Sequence, residues 1–201
     1  MPKQLTDKEM EADIELLNTL LKTFTGIKKE KIDKLMTDVG TVFCTAPASS
    51  RTEFHSCYPG GLLRHSLNVV KYLNRLVKGF CPGKYTEETL VMVGLFHDLG
   101  KTVDDDGNSI YVVNPSDWHR EKLGALYEIP KHIRHMAICD RSLFILQKYG
   151  ITLSEEEYLA IRLSEGQNVR ENEGYRYRET DLAVLLATAN TMAERAEKAS
   201  T

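Results

Sequence analysis

The sequence predicts an all-α fold, a compact bundle of about six or seven helices with one small β-hairpin. Apolar residues recur at helical spacing in most segments of the 201-residue chain, and several segments begin at a Ser or Thr and end at a glycine. Only residues 102–113 place an acidic turn between two short β-branched runs, which is the pattern of a hairpin. Since neither repeats nor a linker occur, we expect residues 1–201 to form a single domain.

The N-terminal part predicts two helices followed by a loop. Thr6 and Glu9 make a capping box ahead of an amphipathic segment, which predicts a helix over residues 7–24. A second, charged segment over residues 27–40 keeps its apolar residues at roughly helical spacing and ends in a glycine. Residues 41–61 are rich in Ser, Thr, Pro and Gly and predict a long loop, which in a compact domain is often functional.

Two apolar helices follow this loop. Apolar positions repeat at helical spacing over residues 62–78, and a glycine then ends the pattern. Thr86 is a suitable N-cap for the next helix, over residues 87–100, because its hydroxyl can accept a hydrogen bond from a first-turn amide. This helix is apolar almost all round, so we expect it at the centre of the fold.

The C-terminal part predicts three more helices, whereas residues 114–140 mix aromatic, basic and proline residues and predict no element. The three helices span residues 141–150, 155–166 and 180–198. Ser154 and Glu157 form a second capping box at the start of the middle one. In the last helix, Glu194 and Lys198 stand four residues apart, and the spacing predicts a pair on its outer face.

Charge and composition exclude several classes of function. The formal net charge is -3, so no general basic field exists to hold long nucleic acid. This charge is compatible with the binding of a small anionic ligand in a locally positive pocket. The sequence shows neither a signal peptide nor a run of about eighteen apolar residues, which predicts a cytoplasmic protein without a membrane partner. Its four cysteines stand far apart without a CxxC pair and are expected to be free thiols.

Candidate metal ligands stand at the ends of the two apolar helices. His65 follows closely after the pair Gly60 and Gly61, and His97 and Asp98 fall in the last turn of the second helix. Imidazole nitrogens with one carboxylate suit a single divalent ion such as Mn, Fe, Co, Ni, Zn or Mg. Taken alone, a histidine in an amphipathic helix is more often a surface or satisfied core residue, but so apolar a helix should not bury an ionised carboxylate without a partner.

Several basic residues are candidates for binding an anionic substrate. Lys101 stands just beyond the second apolar helix and could donate to a phosphate oxygen. Three further side chains are candidates, although for each of them taken singly ordinary surface charge is the favoured interpretation: Arg64, His119 and Arg141. His55 and Cys57 precede the glycine pair and could reach the mouth of the same pocket. A calcium loop at the acidic turn is disfavoured, because Ser109 stands where such a loop needs Gly.

The motif "GGLLRHS" at residues 60–66, followed by "FHDLGK" at residues 96–101, resembles the HD-domain metal-dependent phosphohydrolases, in particular the small single-domain type of bacteria and phages. The resemblance covers residues 54–197, so residues 1–40 would be an N-terminal helical extension packed on an HD core. It implies a metal-dependent phosphohydrolase acting on a nucleotide or related small phosphate ester. The oligomeric state, including a homo-oligomer, is left open.

The resemblance also implies a ligand set, with one departure. The family's early histidine corresponds to His65 and its doublet to His97 and Asp98, while its distant aspartate falls on Asn190. An asparagine oxygen can coordinate a divalent ion but brings no negative charge, so metal affinity should fall.

In this reading Asp98 is a metal ligand that helps to position the attacking water, and Lys101 stabilises charge on the phosphoryl group. Further ligands for a two-metal site are not apparent, and a mononuclear or vacant site is expected. The alternative is a degenerate HD domain that binds a nucleotide or a protein partner without catalysis.

Overall fold

Eight α-helices make up most of residues 4–199, the part of the chain that the computed structural model describes. The helices are α1 Asp7–Leu20, α2 Gly26–Thr45, α3 Gly61–Phe80, α4 Glu87–Phe96, α5 Asp117–Leu123, α6 Ile138–Lys148, α7 Glu155–Arg162 and α8 Asp181–Lys198. Short 3₁₀ helices cover Leu21–Thr23, Leu99–Lys101 and Arg170–Tyr175, and two strands, β1 Val112–Val113 and β2 Tyr127–Glu128, form one small antiparallel sheet. The all-α prediction is confirmed. Within these residues no helix is long and apolar enough to cross a membrane.

The capping signals are confirmed, but several predicted helix ends are wrong. Helix α4 stops at Phe96 instead of residue 100, and α7 stops at Arg162 instead of residue 166. Both capping boxes form, at the start of α1 and at the start of α7. Helix α2 runs past the predicted end at Gly40 and stops only at Thr45. Gly40 is buried inside the helix, and the chain leaves the helix at Ala46, whose backbone is extended because Pro47 follows it.

The predicted hairpin forms only in part. Val103 lies opposite Ser109 in a single bridge, and the Asp104 carboxylate accepts hydrogen bonds from backbone amides of the acidic turn. The paired strands, however, are β1 and β2, with Val112 opposite Glu128. Helix α5 lies between these two strands in the sequence. Strands of two residues are too short to show alternation, so the sequence pattern could not reveal this pairing.

One continuous apolar core joins seven of the eight described helices, and α5 contributes no buried residue to it. Helix α3 lies against both α4 and α8, and α7 lies against α8 and α4. The contact between α3 and α4 is especially close at Gly94, where an added Cβ would stand 2.6 Å from Cγ2 of Val70. Because Gly94 has no side chain, α4 packs closely against Val70 of α3 at this point.

Candidate metal centre

The ends of α3 and α4 bring three of the predicted ligands together. His65 and His97 are 0% exposed and Asp98 is 1% exposed. Oδ2 of Asp98 lies 3.7 Å from Nε2 of His65 and 3.5 Å from Nε2 of His97. One ligand atom from each residue lies within 4.8 Å of the other two. Such a buried group can hold a metal ion.

Hydrogen bonds fix which nitrogen each histidine offers. Nδ1 of His65 lies 3.2 Å from a carboxylate oxygen of Glu197, and Nδ1 of His97 lies 3.0 Å from the carbonyl oxygen of Gly94. Both oxygens are acceptors, so we assign the proton to Nδ1 in each ring. The Nε2 lone pairs then face Asp98, which is the arrangement that outer carboxylates and carbonyls impose on metal-binding histidines.

Three atoms of this group are buried without a hydrogen-bond partner among the described residues: Nε2 of His65, Nε2 of His97 and Oδ1 of Asp98. A buried polar atom without a partner costs about 1–3 kcal/mol. The N···O separations of 3.5 and 3.7 Å are too long for good hydrogen bonds. They are close to the ~3.4 Å that separates ligand atoms around a tetrahedral ion with bonds of ~2.1 Å. One divalent cation between the two Nε2 atoms and the Asp98 carboxylate would remove this cost.

Asn190 lies buried on α8, the helix that packs along α3. Its side-chain Nδ2 donates to the backbone oxygen of Ser164 at 3.3 Å, which fixes the orientation of the amide. Its Oδ1 is left buried without a partner among residues 4–199. The carboxamide thus offers a neutral oxygen, whereas an aspartate here would offer a charged one.

Lys101 forms a buried ion pair with Asp98. Its Nζ donates to Oδ2 of Asp98 at 2.5 Å. Burial alone would lower the pKa of Lys101, but the charge of Asp98 outweighs this effect and raises it. Burial would likewise raise the pKa of Asp98, but the positive charge of Lys101, with the neighbouring histidines, lowers it. Both groups are therefore charged at neutral pH, and Lys101 neutralises the carboxylate.

A cavity of about 590 Å³ adjoins the metal centre. Lys101 and His55 line it, and these two residues also contact the buried group, through Asp98 and His65 respectively. Aromatic and acidic side chains form other parts of the wall, among them Phe54, Tyr111, Glu165 and Glu194. A molecule in this cavity would therefore meet Lys101 before it met the buried ligands.

The other predicted substrate-binding residues do not line this cavity. Nε of Arg64 pairs with Asp13 of α1 at 2.5 Å, so its guanidinium points to the N-terminal helix. His119 lies exposed on α5 with its ring edge-on to Trp118. Arg141 is buried, and its Nη2 donates to the backbone oxygen of Arg134 at 2.7 Å. Of the four predicted substrate ligands, the structure brings only Lys101 to the cavity wall.

Sequence reasoning missed the residues that hold His65 in place. The Glu197 carboxylate accepts hydrogen bonds from Oγ of Ser56 at 2.8 Å and from Nδ2 of Asn68 at 2.9 Å, besides its contact with His65. Burial would raise the pKa of Glu197, but these hydrogen bonds outweigh it and lower the pKa. Glu197 stands seven residues after Asn190, which places both residues on the same face of α8. This spacing could have identified Glu197 as a residue of the site from the sequence.

The expectation of an outer-face pair on α8 is wrong. Glu194 and Lys198 both line the cavity, and Nζ of Lys198 lies 5.7 Å from the ring centre of Phe54. The face of helix α8 that was predicted to be exposed to solvent therefore lines the cavity. The spacing of four residues is equally compatible with a shared face toward a ligand cavity, so the pattern alone could not decide.

His55 lies between the cavity and the metal centre. Its ring centre is 4.4 Å from that of His65, and its Nδ1 lies 3.7 Å from Oε1 of Glu194. Its Nε2 is buried without a partner among residues 4–199. Burial, together with the nearby positive groups, lowers the pKa of His55 to about 3, so the imidazole is neutral at neutral pH.

The cysteines are free thiols, as predicted. Burial raises the pKa of Cys57 to about 11 and also raises that of Cys139, which lines the cavity. Neither thiol is a ready thiolate at neutral pH, which leaves the imidazoles and carboxylates as the candidate metal ligands.

Comparison of the chain with protein-family models, with curated proteins and with solved structures gives no match in any of the three.

Proposed function

We propose that the protein is an HD-type, metal-dependent phosphohydrolase that acts in the cytoplasm on a nucleotide or related small phosphate ester. The observation that carries the proposal is the group of three buried, unpartnered ligand atoms, on His65, His97 and Asp98, beside a cavity of about 590 Å³. The order of the motifs "GGLLRHS" and "FHDLGK" supports the same class.

His65, His97 and Asp98 would hold one divalent ion, with the neutral oxygen of Asn190 as a further ligand. Such an ion, when bound, polarises a phosphoryl oxygen and lowers the pKa of a bound water. The Glu197 and Gly94 acceptors orient the imidazole rings so that their Nε2 lone pairs would face a bound ion. Asp98 would help to position the attacking water.

Lys101 would bind the phosphoryl group of the substrate. Its ammonium is held beside Asp98 on the cavity wall, within reach of both the buried group and a molecule in the cavity. A fixed positive charge stabilises the negative charge that develops on phosphoryl oxygens in the transition state. Phe54 and Tyr111 offer aromatic surface for a planar base, and the cavity is within the usual size range for small ligands.

A second candidate is a domain of this type that binds its nucleotide without hydrolysing it. Two observations favour it. Asn190 adds no negative charge, and Lys101 already neutralises Asp98, so the ligand set carries no net negative charge. Such a site holds a divalent ion more weakly than one with a second carboxylate.

Metal content and turnover separate the two candidates. We expect protein purified without chelator to carry divalent metal, and to release phosphate from at least one member of a nucleotide panel when Mn, Co, Ni or Mg is supplied. His97→Ala should abolish both, whereas His132→Ala, which replaces an exposed histidine that does not line the cavity, should change neither. Wild-type protein that binds metal but hydrolyses no nucleotide supports the binding function. A protein that binds no metal refutes the enzymatic proposal.

A further inference from the structure

Residues 167–176, which follow α7, form part of the wall of the 590 Å³ cavity, and Arg162 ties this segment to the helices. We infer that the hydrogen bond between Arg162 and Asn172 is a latch that keeps the segment closed over the cavity and so positions the nucleoside part of the substrate. Both are positioning residues, because they would act on the substrate through the cavity wall. The inference rests on the proposed phosphohydrolase function, which supplies the substrate.

The segment has few contacts besides the latch. Asn172 is the only buried residue among residues 167–176, and no residue from 164 to 181 belongs to the apolar core. Backbone hydrogen bonds in the segment close locally, as between the amide of Asn172 and the carbonyl oxygen of Val169 at 3.0 Å. A segment without core contacts opens readily unless side chains hold it. The side chain of Asn172 is therefore the main attachment.

The side chain of Asn172 makes two hydrogen bonds. Its Oδ1 accepts from Nη1 of Arg162 at 2.9 Å, and its Nδ2 donates to the backbone oxygen of Gly166 at 2.7 Å. Nε of Arg162 in turn pairs with Asp140 of α6 at 3.0 Å. Both hydrogen bonds have normal lengths, and the guanidinium holds its acceptors in a fixed fork. The latch therefore joins the segment to α6 and α7 together.

The backbone at both ends of the segment suits a hinge. Gly166 precedes the segment with a φ of 78°, and Tyr177 follows it with a φ of 64°. Glycine adopts this left-handed region freely, whereas it is strained for tyrosine. Tyr177 is 88% exposed, so its side chain gains little packing in return for the strain. Opening the segment would release this strain, and the latch opposes the opening.

The wall is thin where the latch forms. Asn172 lines the cavity of about 590 Å³ and also a second cavity of about 250 Å³, whose lining includes Ala187 and Thr188 of α8. Val169 and Glu171 complete the part of the first cavity wall that the segment supplies. Because one residue separates the two cavities here, moving the segment would open the first cavity on this side.

The turn after α7 connects the segment to the metal centre. The carbonyl oxygen of Ser164 accepts from Nδ2 of Asn190, and that of Gly166 accepts from Nδ2 of Asn172. Glu165 lies between these two carbonyls in sequence and lines the cavity. The segment therefore begins beyond the residues that would hold the metal and the phosphoryl group. A nucleotide bound by its phosphate would reach the segment with its sugar and base.

Limited digestion with trypsin tests the latch without relying on activity. Three arginines in or next to the segment are cleavage sites: Arg170, Arg176 and Arg178. We expect Asn172→Ala to raise the rate of cleavage at these sites at least about tenfold, because both hydrogen bonds of the side chain are lost. Arg162→Lys keeps a positive charge for Asp140 but lacks the second nitrogen that reaches Asn172, so it should also raise the rate. The matched control is Asn168→Ala, which replaces an exposed amide of the same segment and should leave the rate unchanged.

Kinetics test the effect on the substrate. On a nucleotide that the wild type hydrolyses, Asn172→Ala should raise KM about tenfold and leave kcat within about twofold, because the wall is loosened while the catalytic groups are retained. Isothermal titration of chelator-treated protein with Mn²⁺ should give the same affinity in this variant and in the wild type. A general loss of structure would instead weaken Mn²⁺ binding together with the affinity for the nucleotide.

The outcomes separate this inference from the proposed function. Unchanged cleavage rates in both Asn172→Ala and Arg162→Lys overturn the latch and leave the enzymatic proposal intact. Faster cleavage with an unchanged KM overturns the role in substrate binding. A wild type that hydrolyses no nucleotide overturns the proposed function and this role with it, while the cleavage rates still decide whether the latch exists. Should Asn172→Ala lose the wild-type circular dichroism spectrum, Arg162→Lys decides the matter.

Discussion

The buried pair of Lys101 and Asp98 gives a quantitative prediction for the variant Lys101→Met. The pair is joined at 2.5 Å, with side-chain exposures of 10% and 2%. At this distance and an effective dielectric constant of ~20, the attraction is about 6–7 kcal/mol before desolvation is subtracted. Methionine has a similar length but no charge, so the variant leaves the Asp98 carboxylate buried without its cation. Removing one partner of a buried pair destabilises by about 3–5 kcal/mol.

The assay is urea unfolding in the presence of chelator, with and without subsequent addition of Mn²⁺. We expect Lys101→Met to lower the free energy of unfolding by about 3–5 kcal/mol in chelator. Mn²⁺ should then stabilise the variant more than the wild type, because the ion supplies the positive charge that Asp98 has lost. The matched control is Lys148→Met, which breaks the exposed pair with Asp105 at 2.9 Å and should cost about 0–1 kcal/mol.

Equal losses in the two variants would refute the reasoning, since they would mean that Asp98 is hydrated or protonated rather than buried and charged. A loss in Lys101→Met that Mn²⁺ does not reverse would show that the ion does not bind next to Asp98. The experiment thus tests the placement of the metal without relying on activity.

Three further predictions concern the same centre. Asn190→Asp adds a carboxylate and should tighten Mn²⁺ binding and raise or create phosphohydrolase activity; unchanged affinity in a metal titration would show that this residue is not a ligand. Glu197→Gln should weaken Mn²⁺ binding about 10–100-fold, because His65 loses the acceptor that orients its ring, and isothermal titration measures the change. Burial lowers the pKa of His97 to about 4 and that of His55 to about 3, so the unfolded chain binds more protons than the native one below pH 6.5. Stability in chelator should therefore be fully present above pH 6.5 and fall as the pH drops toward 4, and a urea midpoint independent of pH across this window would contradict the buried, neutral imidazoles.

The predictable part of the fold is the part encoded within single helices. Capping boxes place the starts of α1 and α7, because the donors and acceptors lie three residues apart in the chain. The approach of His65 to the doublet of His97 and Asp98 follows from two helix ends that carry the right residue types. Predicting these contacts required only the local sequence pattern and the assumption that adjoining helix ends lie close together.

The remaining features depend on contacts between distant segments. Glu197 reaches His65 from across the chain, and β1 pairs with β2 although α5 lies between them. Arg64 adjoins His65 in sequence, yet successive helix residues point about 100° apart, so its side chain turns to Asp13 on α1 instead. Spacing within one segment holds no information about such partners.

The position of Glu197 near the end of α8 has a consequence for the biosynthesis of the protein. His65, His97 and Asp98 leave the ribosome well before the carboxylate that orients the first of them. At about 5–20 residues per second, synthesis of the intervening chain takes roughly 5–20 s after Asp98 is made. During that interval a nascent chain has the ligands but not the acceptor for Nδ1 of His65, so high-affinity metal capture should belong to chains that have completed α8.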